Sequence, residues 1–145
     1  MMEEIKANIK RIIEEGYNKG NVDILDEMYA ADSVRHRPPF QDIEGLEALK
    51  EHAADMFIAF PDGQGTIEEI IVEGDRSATR WSARATHTGQ SPVLPIPPTG
   101  RQVITTVCSV SHWVGGKCVE EWEYIDFLGF LQQLGLVPAM GGGGG

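Results

Sequence analysis

At 145 residues, with 41% hydrophobic and 23% charged side chains, the chain has the size and composition of one globular domain. Its 22 acidic residues outnumber its 12 basic residues, so the net charge is −10 at neutral pH, and no cluster of Lys or Arg occurs. These features exclude a protein that binds nucleic acid through its phosphates, and an anionic membrane surface would repel the chain.

The first half of the chain predicts three amphipathic helices, over residues 3–17, 22–29 and 44–60. The first of them is marked by isoleucines at helical spacing: Ile5, Ile9, Ile12 and Ile13. Residues 33–36 form an extended segment between the second and third helices, which Pro38-Pro39 ends.

The second half changes to the period-two pattern of strands. Strands are predicted over residues 66–73, 77–88, 101–114 and 117–125, and an apolar run predicts a closing helix over residues 127–134. The last two strands are joined at Gly115-Gly116. Helices followed by an antiparallel meander indicate an α+β fold, with helices on one face of a sheet.

Cysteine usage and the chain ends predict location and domain bounds. Cys108 and Cys118 flank the glycine turn asymmetrically, so a hairpin would not set them opposite each other. We therefore expect free thiols, a reducing compartment and a cytoplasmic location. The N-terminal segment mixes acidic and basic residues, unlike a signal peptide. We expect one domain over residues 1–138 and a flexible glycine-rich tail over residues 139–145.

A proline-rich apolar loop lies between two of the predicted strands. Residues 89–100 carry four prolines among Val93, Leu94 and Ile96, which excludes a central strand. A stiff apolar segment of this kind suits a lid over a ligand cavity, and a contact with a second subunit is the alternative.

An acidic and aromatic stretch over residues 120–126 poses the main functional question. Alternation puts Glu121 and Glu123 on one face of the last strand, and Trp122 and Tyr124 on the other. Alternation alone favours buried aromatic rings and solvated glutamates. The register is open: a two-residue turn would pair Val110 with Glu121, whereas a three-residue loop would pair Ser109 with Glu121.

The chain resembles the SnoaL-like polyketide cyclases, of the nuclear-transport-factor-2-like superfamily that also holds ketosteroid isomerases. The matching stretches run in order over nearly the whole chain. They are Tyr17-Asn18-Lys19-Gly20, Val34-Arg35-His36-Arg37-Pro38, Ala59-Phe60-Pro61-Asp62, Ala85-Thr86-His87-Thr88-Gly89, Ile96-Pro97-Pro98-Thr99-Gly100-Arg101, Gly116-Lys117-Cys118-Val119-Glu120-Glu121-Trp122 and Asp126-Phe127-Leu128-Gly129.

The resemblance implies a cone-shaped roll, in which a curved antiparallel sheet wraps around N-terminal helices and encloses one apolar pocket. It places the acid/base carboxylate of the family at Glu123, turned into the pocket, and a second acidic position at Asp126. A pocket histidine of characterised cyclases falls at Ser109, and Tyr17 matches a pocket position. The resemblance also favours the three-residue hairpin loop and implies a homodimer that packs sheet face against sheet face.

Further side chains complete the candidate site. His36, before the Pro38-Pro39 break, is a candidate proton donor beside Glu123 and Asp126. Candidate ligand-binding residues are Tyr17, Trp81, His87, Ser109 and Glu121. We expect His52 and His112 to be structural or solvent-facing. The four histidines lack metal-ligand spacing and no CxxC or HExxH occurs, so we expect no metal site.

The resulting hypothesis is a small enzyme without a cofactor, acting on an apolar carbonyl compound. Desolvation favours the neutral form of a carboxyl group in an apolar cavity, which would let one glutamate act as both base and acid. Aldol-like ring closure and isomerisation are the expected reactions. The alternatives are a binding module without catalysis and epoxide hydrolysis. The latter would need a relay of the Asp–Arg–Asp type, with Arg80 or Arg84 as candidates.

Overall fold

The computed structural model describes residues 1–138, so the predicted tail over residues 139–145 lies outside the described part of the chain. Within the described range there are four α-helices: α1 (Met2–Arg11), α2 (Ile24–Met28), α3 (Leu46–Ala59) and α4 (Phe127–Gln133). The first predicted helix changes character after α1, because Ile12–Tyr17 forms a π-helical segment. Within residues 1–138, no helix combines the length and apolar character needed to span a membrane.

In the described part of the chain, six strands form one mixed sheet. They are β1 (Tyr29–His36), β2 (Ile43–Glu44), β3 (Gln64–Glu73), β4 (Arg76–Thr86), β5 (Gln102–Val114) and β6 (Lys117–Ile125), in the order β2-β1-β6-β5-β4-β3. Only the β1–β6 pair is parallel. The meander β3 to β6 is the predicted one, and the predicted α+β class with N-terminal helices against a sheet is confirmed.

The β5–β6 hairpin has the two-residue turn that was one of the two alternatives, but Glu121 pairs with Ser111, which neither alternative predicted. Val114 pairs with Lys117, so the turn contains only Gly115 and Gly116, both with positive φ of 57° and 81°. This conformation matches the two-residue turns that join twisted strands, and glycine adopts it without steric cost. The three-residue loop that the resemblance favoured is therefore wrong.

A β-bulge at Val119, just after the hairpin turn, decides which side chains of β6 face inward. Trp113 pairs with Cys118 but His112 pairs with Glu120, which leaves Val119 as the extra residue of β6. One extra residue reverses the alternation of a strand. Cys118 lies on the inner face before the bulge, and Glu121 and Glu123 lie on that same face after it. The resulting pairs are Ser111 with Glu121 and Ser109 with Glu123.

The main core lies between the N-terminal helices and the inner face of the sheet. Its buried members include Ile5, Ile9, Met28, Leu49 and Trp113. Cys118 is fully buried and Cys108 is exposed, and both thiols are free, as predicted. A second cluster at the other end of the sheet joins Phe60 of the α3 end to Leu134 at the end of α4.

The proline-rich loop is fixed to the C-terminal end of α3. The backbone N–H groups of Thr88 and Gly89 both donate to the Ala59 carbonyl, and the Ser91 hydroxyl donates to the Asp55 carbonyl at 2.7 Å. Gly89 lies so close to α3 that a Cβ there would overlap the Ile58 carbonyl oxygen. The loop is therefore held over the inner face of the sheet.

The outer face of the sheet carries an apolar row across four strands. Cross-strand pairing aligns Ile71, Ala78, Val110 and Trp122, which we call the outer row. Charged residues of both signs flank it on either side, with Glu69 and Arg80 in one neighbouring row and Glu73 and Arg76 in the other. A face with this pattern can pack against the same face of a second copy.

We expect the predicted homodimer to form through the outer row. Val110→Glu places a charge at the centre of this row, so it should convert a dimer into a monomer in light scattering after size-exclusion chromatography. Ile58→Glu is the matched control, because Ile58 is also an exposed aliphatic residue (52%) but lies on α3. A wild-type protein that is monomeric at micromolar concentration would contradict the expectation.

Candidate functional site

The inner face of the sheet encloses a cavity of about 510 Å³. The helical wall contributes Ile13, Tyr17 and Phe57, and the strands contribute Trp81 and Val107. The proline-rich loop closes one side with Val93, Leu94 and Pro95. The cavity is thus mainly apolar and has the size of a small-molecule site.

Few charged side chains reach this cavity, and they lie together. Glu123 projects from β6, Arg35 from β1, and Arg37 follows directly after β1. Arg35 Nη1 lies 3.6 Å from Glu123 Oε2, and Arg37 Nε lies 3.6 Å from Glu123 Oε1. The Glu123 side chain is only 16% exposed. The carboxylate therefore lies between two guanidinium groups that compensate its charge in a largely desolvated place.

A second carboxylate lies behind this group and holds it in position. Glu121 accepts hydrogen bonds from the Tyr29 hydroxyl at 2.9 Å, the Ser111 hydroxyl at 3.1 Å and Arg35 Nε at 2.7 Å. Arg35 Nη2 also donates to the Tyr29 hydroxyl, at 3.3 Å. Each oxygen of Glu121 thus has a donor, as a buried carboxylate requires. Arg35 links Glu121 to Glu123.

The local field explains the protonation states of the neighbouring side chains. Burial works to lower the pKa of Arg35, but Glu121 and Glu123 outweigh it and raise that pKa well above its usual value. Burial, with Asp62 and Glu123, raises the pKa of Tyr17 to about 12. Burial also raises the pKa of Tyr29, and Glu121 adds to this effect. Near neutral pH, Arg35 is a cation and both tyrosines are neutral donors.

His52 lines the cavity, so the expectation that it is structural or solvent-facing is wrong. It projects from α3 into the cavity beside Arg37 and Arg35. Burial and then these two cations lower the pKa of His52 to about 4. The ring is therefore neutral at physiological pH and can donate or accept one hydrogen bond.

The structure separates the candidate catalytic residues. Glu123 lines the cavity, but His36 lies on the outer face, stacked on Trp122 at 5.2 Å between ring centroids. Its Nε2 is 2.7 Å from Glu120 and its Nδ1 is 3.0 Å from Asp42. Strand alternation causes this, because His36 follows inward-facing Arg35. Asp126 is exposed and accepts a hydrogen bond from the Gly129 N–H at 3.0 Å, which caps α4.

The candidate ligand-binding residues are also divided. Tyr17 and Trp81 line the cavity, and their rings meet edge to face at 5.3 Å. Glu121 lies beneath the cavity wall. Ser109 shares the inner face with Glu123 but does not line the cavity. His87 is fully buried against Phe60, where its Nδ1 accepts a hydrogen bond from the Thr99 N–H at 3.1 Å. It fixes the proline-rich loop rather than lining the cavity.

The remaining expectations concern relays and metals. Arg80 pairs with Glu69 on the outer face and Arg84 is exposed, so neither reaches the cavity. Among residues 1–138, the arginines that line the cavity are Arg35 and Arg37. Strand alternation puts these two residues on one face and His36 on the other, but the sequence does not show which face is inward. Among residues 1–138, no group of three or more His, Cys, Asp or Glu side chains is arranged to hold a metal ion.

This architecture, a sheet curved around helices with a carboxylate in an apolar cavity, is that of the nuclear-transport-factor-2-like cone folds. Residues 7–134 match the model of the SnoaL-like polyketide cyclases. The chain therefore belongs to the SnoaL-like polyketide cyclase family. No curated protein matches its sequence.

Solved structures agree with this assignment. IdmH, a proposed polyketide cyclase from Streptomyces antibioticus, is 31% identical, with a TM-score of 0.76 over 90% of this chain and 97% of that one. AclR, a proposed hydroxylase from Streptomyces galilaeus, is 26% identical, with a TM-score of 0.84 over 97% and 87%. A proposed cyclase from Jannaschia sp. CCS1 is 22% identical, with a TM-score of 0.84 over 94% of each chain.

The buried ion pair should matter far more to stability than an exposed one. The Arg35 and Glu121 side chains are 15% and 8% exposed, against 55% and 54% for Arg80 and Glu69. Glu121→Gln leaves a buried cation with reduced compensation and should lower the free energy of unfolding in urea by about 3 kcal/mol. Glu69→Gln should cost less than about 1 kcal/mol. Equal losses of unfolding free energy in the two variants would contradict the greater contribution of the buried pair to stability.

Stability should fall on acidification because His52 is kept neutral. The folded protein protonates His52 only near pH 4, whereas the unfolded chain does so near its ordinary value of about 6.5. Between these values the unfolded state binds more protons, so stability decreases as pH falls through the window. Relative to His52→Gln, the wild type should lose about 1–2 kcal/mol more between pH 7 and pH 5 in urea unfolding. Parallel pH profiles of the two proteins would refute the assignment.

Proposed function

We propose that the protein is an enzyme without a cofactor that uses Glu123 for acid/base chemistry on an apolar carbonyl compound. The observation that carries the proposal is the position of Glu123, whose carboxylate lines a mainly apolar cavity of about 510 Å³, beside Arg35 and Arg37. Membership of the SnoaL-like family supports ring closure of a polyketide-type chain as the reaction.

In the proposed reaction, Glu123 takes one proton from the substrate and later transfers it to the product. The Glu123 carboxylate removes a proton from a carbon next to a carbonyl group, and the electron pair of the broken C–H bond moves to the carbonyl oxygen as an enolate. The enolate carbon attacks a second carbonyl of the same molecule, which forms the ring carbon–carbon bond and an alkoxide. The alkoxide takes the proton back from Glu123, so nothing is oxidised or reduced.

The surroundings of Glu123 suit the first step. Two guanidinium groups lie 3.6 Å from the carboxylate oxygens and offset the negative charge that a carboxylate base carries. The hydrogen bonds to Glu121 restrain Arg35 and thereby orient the Glu123 carboxylate. Neutral His52 and Tyr17 also line the cavity and can provide N–H and O–H donors for substrate oxygens.

Hydrolysis is a second candidate, because a carboxylate–Arg–carboxylate relay is present. Arg35 stands between Glu121 and Glu123, in the arrangement that an epoxide hydrolase would use to orient and deprotonate a water molecule. The two reactions differ in their products, since hydrolysis in ¹⁸O-labelled water would introduce the label and ring closure would not.

Glu123→Gln tests for a positioned base without the natural substrate. The wild type should accelerate exchange of the α-hydrogens of 2-tetralone for deuterium, followed by proton NMR in D₂O. Loss of the base should reduce this rate by about 10²–10⁴-fold, while calorimetry should show that 2-tetralone still binds.

Glu120→Gln is the control, because Glu120 precedes Glu121 on the same strand but faces outward, next to His36. It should retain the wild-type rate. Equal exchange rates in the wild type and Glu123→Gln, with ligand bound to both, would favour a binding module without catalysis.

A further inference from the structure

Arg37 differs from Arg35 in its hydrogen bonds. Arg35 donates from Nε to Glu121 and from Nη2 to the Tyr29 hydroxyl. By contrast, the buried Nε of Arg37 has no hydrogen-bond partner among residues 1–138. Its distance of 3.6 Å to Glu123 Oε1 is too long for a hydrogen bond. The guanidinium group packs over the Phe40 ring, 5.1 Å from its centroid, and also lines the cavity.

The charges of this group balance only while Glu123 is ionised. Arg35 is matched to Glu121, and Arg37 faces Glu123. When Glu123 takes a proton, one positive charge in the cavity loses its counterion, and that charge belongs to Arg37. The removal of a proton from the substrate creates a negative oxygen at the same moment. An uncompensated guanidinium is a strong site for such an oxygen, because it offers both charge and paired N–H donors.

We propose that Arg37 is an anion subsite that becomes available when Glu123 is neutral, and that it binds the enolate oxygen of the substrate. The substrates are then apolar, ring-forming carbonyl compounds whose enolate oxygen lies against the guanidinium of Arg37. This inference rests on the proposed function for its catalytic meaning. In the step, the substrate C–H bond breaks, its proton moves to Glu123, and its electron pair moves to the carbonyl oxygen beside Arg37.

Two stable ligands of similar shape, one anionic and one neutral, show whether binding depends on the charge of the ligand. Naphthalene-1-carboxylate carries a permanent anion, and its methyl ester is the neutral counterpart. In calorimetry near pH 7.5, Glu123→Gln, which mimics the protonated residue, should bind the carboxylate about 10–100-fold more tightly than the wild type does. The affinity for the ester should be unchanged. If Glu123→Gln brings no gain for the carboxylate over the ester, the proposal fails.

A second comparison assigns the gain to Arg37. Glu123→Gln combined with Arg37→Gln should lose the gain, whereas Glu123→Gln combined with Arg84→Gln should keep it, because Arg84 is exposed and does not line the cavity. A folded Arg37 double variant that keeps the gain would overturn the assignment. The comparison of wild type with Glu123→Gln does not depend on the folding of any Arg37 variant.

The binding comparison is independent of turnover. If 2-tetralone exchange is not catalysed but the carboxylate gain depends on Arg37, the proposed function fails and the anion subsite stands. If exchange depends on Glu123 but the carboxylate gains nothing, the subsite fails and the proposed function stands.

Discussion

The buried ion pair between Arg35 and Glu121 is the interaction on which the site depends. It joins β1 to β6 across the one parallel strand pair of the sheet, where Arg35 lies directly beside Glu121. Because Tyr29 and Ser111 also donate to Glu121, the carboxylate is saturated and Arg35 is fixed. A fixed Arg35 in turn sets where the Glu123 carboxylate can lie. Arg35 thus both positions Glu123 and, together with Arg37, compensates its charge.

The bulge at Val119 makes this arrangement possible. Without it, the inward position of Cys118 and strict alternation would turn Glu121 and Glu123 towards the outer face. The bulge therefore places acidic residues inside and leaves Trp122 and Tyr124 outside. Bulges commonly change the direction of side chains next to functional sites, and this bulge does so for all residues of β6 that follow it.

Much of the fold follows from sequence patterns. Helical periodicity located the N-terminal helices, and period two located the meander, because both depend on local alternation that tertiary contacts reinforce here. The resemblance supplied the inward direction of Glu123, which alternation alone argued against. Alternation failed here because Arg35 and Arg37 compensate the carboxylates on the inner face, and these partners come from a distant strand.

The site was harder to predict because its members come from distant parts of the chain. Arg35 and Glu121 are 86 residues apart and become neighbours only through the parallel β1–β6 pair. His36 was predicted to be a proton donor in the cavity. Strand alternation along β1 instead turns His36 outward and turns Arg35 and Arg37 inward. The desolvation argument for Glu123 was also incomplete, because it omitted the two guanidinium groups that face the carboxylate. Charge compensation, more than burial, defines this cavity.

The central feature of the site is the Glu123 carboxylate, which lies between two arginines and lines the cavity where we propose that the substrate binds. A crystal structure of the protein soaked with 2-tetralone tests this most directly. We predict ligand density in the cavity, with the Glu123 carboxylate in contact with the ligand and both guanidinium groups beside that carboxylate. Density for Glu123 on the outer face of the sheet, or a ligand bound away from it, would contradict this proposal.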